Sequence, residues 1–193
     1  MHSRGWFFWL WQNDAYEYAY RVFLVLKELG IDKIVLVGHS FGGRLSILLS
    51  SVFGFSIRHV VLTAAAGLNR FSFLKWLKIK NYKFCKFLVK HKVVSGRMLK
   101  RFGSRDYQHA KDLLKHVLLK VVVQDLSFCL VKIYSPVVLY WGLKDKDTPF
   151  WMCKKFKNSI RQHVQVYLNK SAGHFVAFEN YRKFATILLD LCN

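Results

Sequence analysis

The 193-residue sequence predicts an α/β protein with a mostly parallel sheet and a helical segment inserted between two parts of that sheet. Two observations lead to this fold class. Short apolar runs rich in β-branched residues alternate with segments of helical periodicity, and such runs are typical of strands buried on both faces of a parallel sheet. Across residues 68–134 this strand pattern is replaced by basic segments with helical spacing.

The first third of the chain predicts two helices and two strands in alternation. Apolar residues at helical spacing predict a helix over about 15–29, and Gly30 provides its C-terminal stop. The apolar run 34–37 predicts a buried strand that leads into glycine. A second helix is expected over about 44–53, and a second strand over 59–62.

The middle of the chain predicts a separate helical unit. Apolar residues between Leu113 and Val122 recur at helical spacing with basic residues among them. We therefore expect residues 1–67 and 135–193 to form the α/β core, and residues 68–134 to form an insertion of short basic helices.

The last third returns to the α/β pattern. A third strand is predicted over 137–141 and a fourth over 164–168, where apolar residues alternate. Thr148 and Pro149 are typical of a helix start, with a capping hydroxyl followed by proline in the first turn. A closing helix is expected over 178–192.

The charge of the chain is strongly basic, at +20, and it is unevenly distributed. Residues 68–134 carry 16 Lys and Arg against 3 Asp and Glu, a net charge of +13. Nucleic acid, an anionic membrane surface and acidic substrates are all compatible with this excess, as is a genome rich in A and T. Nucleic acid is not expected, because the aromatic residues among the lysines of 71–92 have a helical spacing more typical of a core.

Cysteine usage and apolar stretches favour a cytoplasmic protein without a membrane span. The four cysteines are widely spaced and form no C-x-x-C pair, so we expect reduced core residues and no zinc site: Cys85, Cys129, Cys153 and Cys192. The aromatic run 6–11 is too short for a signal peptide and lacks a cleavage site. The longest uncharged stretch, 45–57, is shorter than the roughly 20 residues that a membrane helix needs.

The clearest chemical motif is the G-x-S-x-G sequence from Gly38 to Gly42, which lies between a predicted strand and a predicted helix. A nucleophilic serine needs a tight, strained turn at this junction, and the flanking glycines leave room for it. The motif predicts Ser40 as the nucleophile. The backbone N–H of Phe41, at the start of the helix, is the expected donor to a developing oxyanion.

A serine nucleophile needs a base, and the base needs an acid that orients it. The loop after strand 137–141 contains Asp145, and Asp147 competes with it two residues later. The loop after strand 164–168 contains His174. None of the other histidines follows the last strand: His2, His39, His59, His91, His109, His116 and His163.

No metal or other cofactor is expected. His109 and His116 are seven residues apart on a predicted basic helix, but no third ligand accompanies them.

Three motifs, Gly38 to Gly43, Pro136 to Asp145 and Gly173-His174, resemble those of the α/β-hydrolase fold family. The resemblance extends from about residue 16 to 191. It implies Ser40 as nucleophile, Asp145 as acid and His174 as base, and it implies that residues 68–134 form a cap over the pocket. A serine at position 40 argues against the dehalogenase and epoxide-hydrolase branches, which use aspartate there.

The chain departs from this family at its beginning. Members have several strands before the nucleophile strand, and an early loop, often with His-Gly, provides a second oxyanion donor. This chain reaches its nucleophile strand first, and no His-Gly pair with a preceding strand lies upstream of Ser40. We therefore expect an N-terminally truncated hydrolase with run 34–37 at an exposed sheet edge.

The first hypothesis for function is a serine hydrolase acting on a small-molecule ester or related acyl bond. The alternative is a weak or inactive remnant that serves as a binding protein. A further hypothesis is that the basic insertion contacts anionic membrane.

Overall fold

The computed structural model describes residues 14–31, 33–53, 56–69, 81, 84–85, 87–89, 91, 120–121 and 124–192. Helices and strands alternate along most of this part of the chain. Their bounds are α1 Ala15–Glu28, β1 Ile34–His39, α2 Phe41–Ser51, β2 Ile57–Thr63, α3 Ser127–Leu130, β3 Val137–Gly142, α4 Phe150–Ser159, β4 Val164–Asn169, α5 Val176–Glu179 and α6 Tyr181–Cys192.

The four strands form one parallel sheet in the order β1-β2-β3-β4. Each strand pairs with the next strand in sequence, for example Leu62 with Leu139 and Leu139 with Val166. Because all the strands run the same way, their carboxyl ends lie along one edge of the sheet. This confirms the predicted fold class, a parallel α/β sheet with flanking helices.

Alternate residues of the central strands enter two different cores, as the two-residue period of a strand requires. Leu139 and Trp141 of β3 pack in a core with residues of α1, α2, α3 and α4, whereas Val138 and Tyr140 pack with α5 and α6. All six residues of β3 are buried. The apolar runs that predicted the strands therefore reflect helices on both faces of the sheet.

Two details of the last third differ from the sequence-based expectations. The closing helix is broken, because Asn180, with φ −135° and ψ 59°, separates α5 from α6. The N-cap of α4 is Pro149 rather than Thr148, and no side chain caps that helix. The hydroxyl of Thr148 is instead engaged by groups at the edge of the sheet described below.

The chain divides into two compact units, one of residues 1–68 with 124–193 and the other of residues 69–123. The sheet and all its flanking helices belong to the first unit. The predicted role of residues 68–134 as a cap stays a prediction, and most of that segment lies outside the described residues, as do run 6–11 and the His109–His116 pair. None of the described helices is long and apolar enough to cross a membrane.

Candidate active site

The residues predicted to act together follow three different strands of the sheet. Ser40 comes directly after β1, Asp145 lies in the loop after β3, and His174 lies in the loop after β4. The carboxyl ends of parallel strands meet at the same edge, and this is where α/β sheets bind ligands. The topology therefore brings all three loops to one edge.

Ser40 occupies a strained turn between β1 and α2. Its backbone has φ 49° and ψ −111°, a region that costs a non-glycine residue about 1–3 kcal/mol. The end of β2 and the loop after it hold this conformation: the Ser40 N–H donates to the Thr63 carbonyl at 3.2 Å, and the Ala66 N–H donates to the Ser40 carbonyl at 3.0 Å. The Ser40 hydroxyl makes no capping bond to α2.

The glycines of the motif differ in their steric importance. A Cβ at Gly38 would collide with Ser46 Oγ and lie 2.6 Å from the Gly42 carbonyl oxygen. A Cβ at Gly42 would meet nothing within 4 Å, whereas one at Gly43 would collide with the Cβ of Ala65. The close approach on the helix side of Ser40 is therefore at Gly43, one residue beyond the motif.

Asp145 and His174 form a direct hydrogen bond. His174 Nδ1 lies 2.9 Å from Asp145 Oδ2, and the Asp145 side chain is fully buried while that of His174 is 14% exposed. Because a carboxylate only accepts hydrogen bonds, Nδ1 of His174 carries the proton and Nε2 is left as the basic nitrogen. Of the two competing aspartates, the structure joins Asp145 to His174.

The two partners shift each other's pKa in opposite directions. Burial alone would raise the pKa of Asp145, but the hydrogen bonds from His174 and Thr148 outweigh it and lower that pKa. The pKa of His174 is raised, chiefly by its hydrogen bond to Asp145, against the opposing effect of burial. The geometry therefore favours an ionised Asp145 beside a histidine of enhanced basicity.

His39, which precedes the predicted nucleophile Ser40, lies against the predicted base His174. The centroids of the His39 and His174 rings are 4.9 Å apart. His39 Nδ1 lies 3.2 Å from the Thr63 carbonyl oxygen, which can only accept, so this nitrogen is protonated. Burial and then the charge of His174 lower the pKa of His39. His39 is therefore held neutral next to the more basic His174.

The Ser40 hydroxyl is not hydrogen-bonded to His174 in the described part of the chain. Phe41 is the first residue of α2, so its N–H is among those without an intrahelical acceptor. The structure thus brings together Asp145 and His174 directly, and places Ser40 and Phe41 at the same edge of the sheet.

Exposed aromatic rings that belong to none of the predicted motifs adjoin this edge. The ring of Phe175 lies 5.5 Å from that of His39, and the ring of Phe178 lies 6.4 Å from that of Phe175. Phe175 is 58% and Phe178 71% exposed. Their position shortly after His174 in the sequence is a signal that could have pointed to them.

Asp145, Asp147 and His174 each offer one possible ligand atom, and these atoms lie within 4.8 Å of one another. Both oxygens of Asp145 are already accepting hydrogen bonds, from Asp147 N, Thr148 N, Thr148 Oγ1 and His174 Nδ1. A metal ion would have to displace these donors. The sequence-based expectation that the chain holds no metal stays a prediction.

A cavity of about 290 Å³ lies elsewhere, between α4 and β4. Its lining consists of Phe150, Cys153, Lys154, Lys157, Val166 and Leu168. None of the predicted site residues lines it, so the arrangement described above is the stronger candidate for chemistry.

Comparison with known proteins identifies the fold. A family model described as the alpha/beta hydrolase fold matches residues 10–87. The esterase from Exiguobacterium antarcticum superposes with a TM-score of 0.68 at 16% identity, over 94% of this chain and 75% of its own. This chain has the α/β-hydrolase fold.

Other solved structures agree with this α/β-hydrolase fold. A bromoperoxidase from Bacillus anthracis has a TM-score of 0.68 at 18% identity, over 93% of this chain and 74% of its own. A hydrolase from Pseudomonas aeruginosa PA01 has a TM-score of 0.66 at 16% identity, over 93% and 72%. No curated protein matches the sequence. At these identities the likeness establishes the fold, and it confirms the resemblance found in the sequence.

Proposed function

We propose that this chain is a serine hydrolase that cleaves a carboxylic ester or a related acyl bond of a small molecule. The observation that carries the proposal is the 2.9 Å hydrogen bond between His174 and Asp145, at the edge of the sheet where Ser40 occupies its strained turn. The fold shared with esterases adds support. In a fold that hosts many chemistries, function is argued from such a site.

Each residue has a distinct role in the proposed reaction. Asp145 holds the Nδ1–H of His174, so that Nε2 accepts the proton of Ser40 as the serine oxygen attacks the carbonyl carbon. His174 then passes this proton to the leaving alcohol as the tetrahedral intermediate collapses to an acyl-enzyme. Water, activated by His174, attacks the acyl-enzyme and releases the acid. No cofactor takes part.

The backbone N–H of Phe41 is assigned as the hydrogen-bond donor that stabilises the negative charge developing on the carbonyl oxygen. This N–H lies at the amino end of α2, where the helix dipole favours negative charge. One such donor contributes about 10²- to 10³-fold to the rate. The Ser40–His174 contact is expected to form when substrate is bound, because catalytic hydrogen bonds often shorten only then.

Hydrolysis of short p-nitrophenyl esters tests the proposal. The purified chain is compared with Ser40→Ala, which should lower kcat/KM by about 10³-fold or more. Ser51→Ala is the matched control, since Ser51 lies at the far end of α2 from Ser40 and its hydroxyl donates to the Ile47 carbonyl. A fluorophosphonate probe should add one phosphonyl group to the wild type and none to Ser40→Ala.

Equal esterase rates for the wild type and Ser40→Ala would refute the proposal. Such a result would favour the alternative, in which the chain binds a partner or ligand without turning it over.

A further inference from the structure

The hydroxyl of Thr148 lies at the centre of the candidate site. Thr148 precedes α4 and is 4% exposed. Its Oγ1 lies 2.6 Å from Asp145 Oδ2, 3.0 Å from the Ala64 carbonyl oxygen and 3.3 Å from His174 Nδ1. We propose that Thr148 is a positioning residue, whose hydroxyl aligns the Asp145 carboxylate for its hydrogen bond with His174.

The hydroxyl has one proton, so its neighbours compete for it. The carboxylate of Asp145 and the carbonyl of Ala64 can only accept. The shorter contact, to the carboxylate, has the length of a charge-assisted O–H···O bond, so the proton is directed mainly to Asp145. The oxygen of the hydroxyl is then free to accept from the Nδ1–H of His174, which already donates to Asp145.

Thr148 completes the hydrogen bonding of a buried carboxylate. Oδ1 of Asp145 accepts from the backbone N–H of Asp147 at 2.8 Å and of Thr148 at 2.9 Å, and Oδ2 accepts from the Thr148 hydroxyl and His174. A carboxylate has about four acceptor positions, and here all are used. Without the hydroxyl, Oδ2 would depend on the histidine alone, and the carboxylate would be less firmly oriented.

The same hydroxyl links the acid to the loop that holds the nucleophile. Ala64 has a positive φ of 44°, and its carbonyl faces the Thr148 hydroxyl. The residues on either side of Ala64 and Ala65 carry the two backbone bonds to Ser40, from the Thr63 carbonyl and the Ala66 N–H. The Thr148 hydroxyl therefore lies between the Asp145 carboxylate and the loop that fixes Ser40, and the Ala64 carbonyl receives only the weaker share of its proton.

Comparison of Thr148→Val with Thr148→Ser isolates the hydroxyl, because valine preserves the shape and serine preserves the donor. Carbon-13 NMR of the Asp145 carboxyl should show a higher pKa in Thr148→Val, since a hydrogen bond that favours the charged form is lost. Thr148→Ser should restore the wild-type pKa. Thr186→Val, at an exposed site on α6, is the control and should change nothing.

The kinetic consequence rests on the proposed function. If the lost hydrogen bond to the charged Asp145 raises the activation free energy, Thr148→Val should lower kcat about 10- to 100-fold. KM should change little, because Thr148 is not expected to contact the substrate. Thr148→Ser should recover most of this loss.

The outcomes separate the two proposals. An unchanged Asp145 titration in Thr148→Val overturns the positioning role, whatever the activity. A raised Asp145 pKa in a protein without Ser40-dependent hydrolysis supports the positioning role and refutes the proposed function.

A wild-type measurement keeps the test decisive if Thr148→Val does not fold. Proton NMR should show the Thr148 hydroxyl in slow exchange, with a nuclear Overhauser contact to Hδ1 of His174. Absence of that signal overturns the proposal.

Discussion

At the scale of single residues, the hydrogen bond between Asp145 and His174 predicts that the proposed hydrolysis depends on pH in a defined direction. His174 must be neutral to act as a base, and its pKa lies above the ordinary value of about 6.5. We therefore predict that kcat/KM falls as the pH is lowered through a midpoint above 6.5. His39 adds no second step in this range, because its own pKa is lowered.

Asp145→Asn should move this midpoint to lower pH, because the carboxylate is the main cause of the raised His174 pKa. It should also lower kcat/KM by about 10²- to 10⁴-fold, since the tautomer and orientation of the imidazole are lost. Asp147→Asn is the matched control. The Asp147 side chain raises the pKa of His174 through its charge and as the smallest of the causes, so the midpoint of the pH profile should move less in Asp147→Asn than in Asp145→Asn. A larger shift from Asp147→Asn would contradict the assignment of Asp145.

That three loops of the candidate site lie at one edge of the sheet could be predicted from the sequence, because the carboxyl ends of parallel strands share an edge. Ser40, Asp145 and His174 each follow an apolar run that ends at this edge. The hydroxyl of Thr148 could not be assigned, because Thr-Pro before a helix has the same local pattern whether the threonine caps that helix or contacts another loop. Only the tertiary structure decides between the two.

At the scale of elements, the junction between α2 and the loop after β2 depends on the absence of a side chain at residue 43. A Cβ at Gly43 would collide with the Ala65 Cβ and lie 2.9 Å from its Cα, and Ala65 is fully buried. We predict that Gly43→Ala destabilises the protein by about 1–3 kcal/mol, the usual cost of overpacking. Since the same loop holds Ser40, activity should also decrease.

Gly42→Ala is the control for this prediction, because it adds the same methyl group to the same helix with nothing within 4 Å. Because alanine has a higher helix propensity than glycine, Gly42→Ala should leave the free energy of unfolding unchanged or slightly higher. Urea denaturation followed by circular dichroism measures both variants. Equal midpoints would show that the loop yields to the added atom.

The strands were more predictable than the helix ends. Continuous apolar runs such as 137–141 identify strands covered on both faces, and β3 is buried along its whole length. The break at Asn180 could not be seen, because the apolar spacing continues through it from α5 into α6. The spacing of apolar residues in the sequence does not reveal where the backbone changes direction.

At the scale of the whole molecule, catalytic chemistry and net charge are separate properties. The segments that contain the sheet and the site carry only +7 of the total of +20, while residues 68–134 carry +13. The net charge therefore gives no indication of the proposed reaction. We expect the charge to act on the binding of anionic surfaces, because the electrostatic potentials of many positive side chains add together.

We propose accordingly that the basic segment binds anionic lipid. Association with vesicles should require phosphatidylserine in the phosphatidylcholine bilayer, and it should weaken as salt shortens the Debye length from about 10 Å at 0.1 M to about 3 Å at 1 M. Replacing Lys75, Lys78 and Lys80 by glutamine removes about 1 kcal/mol of binding free energy per lysine near the membrane surface, so binding should fall about 100-fold.

Replacing Lys154, Lys155 and Lys157 of α4 by glutamine removes the same charge outside the basic segment and should have a smaller effect. Vesicle sedimentation measures both triple variants, and binding that ignores lipid charge and salt would refute the proposal, because only a screened electrostatic attraction depends on both.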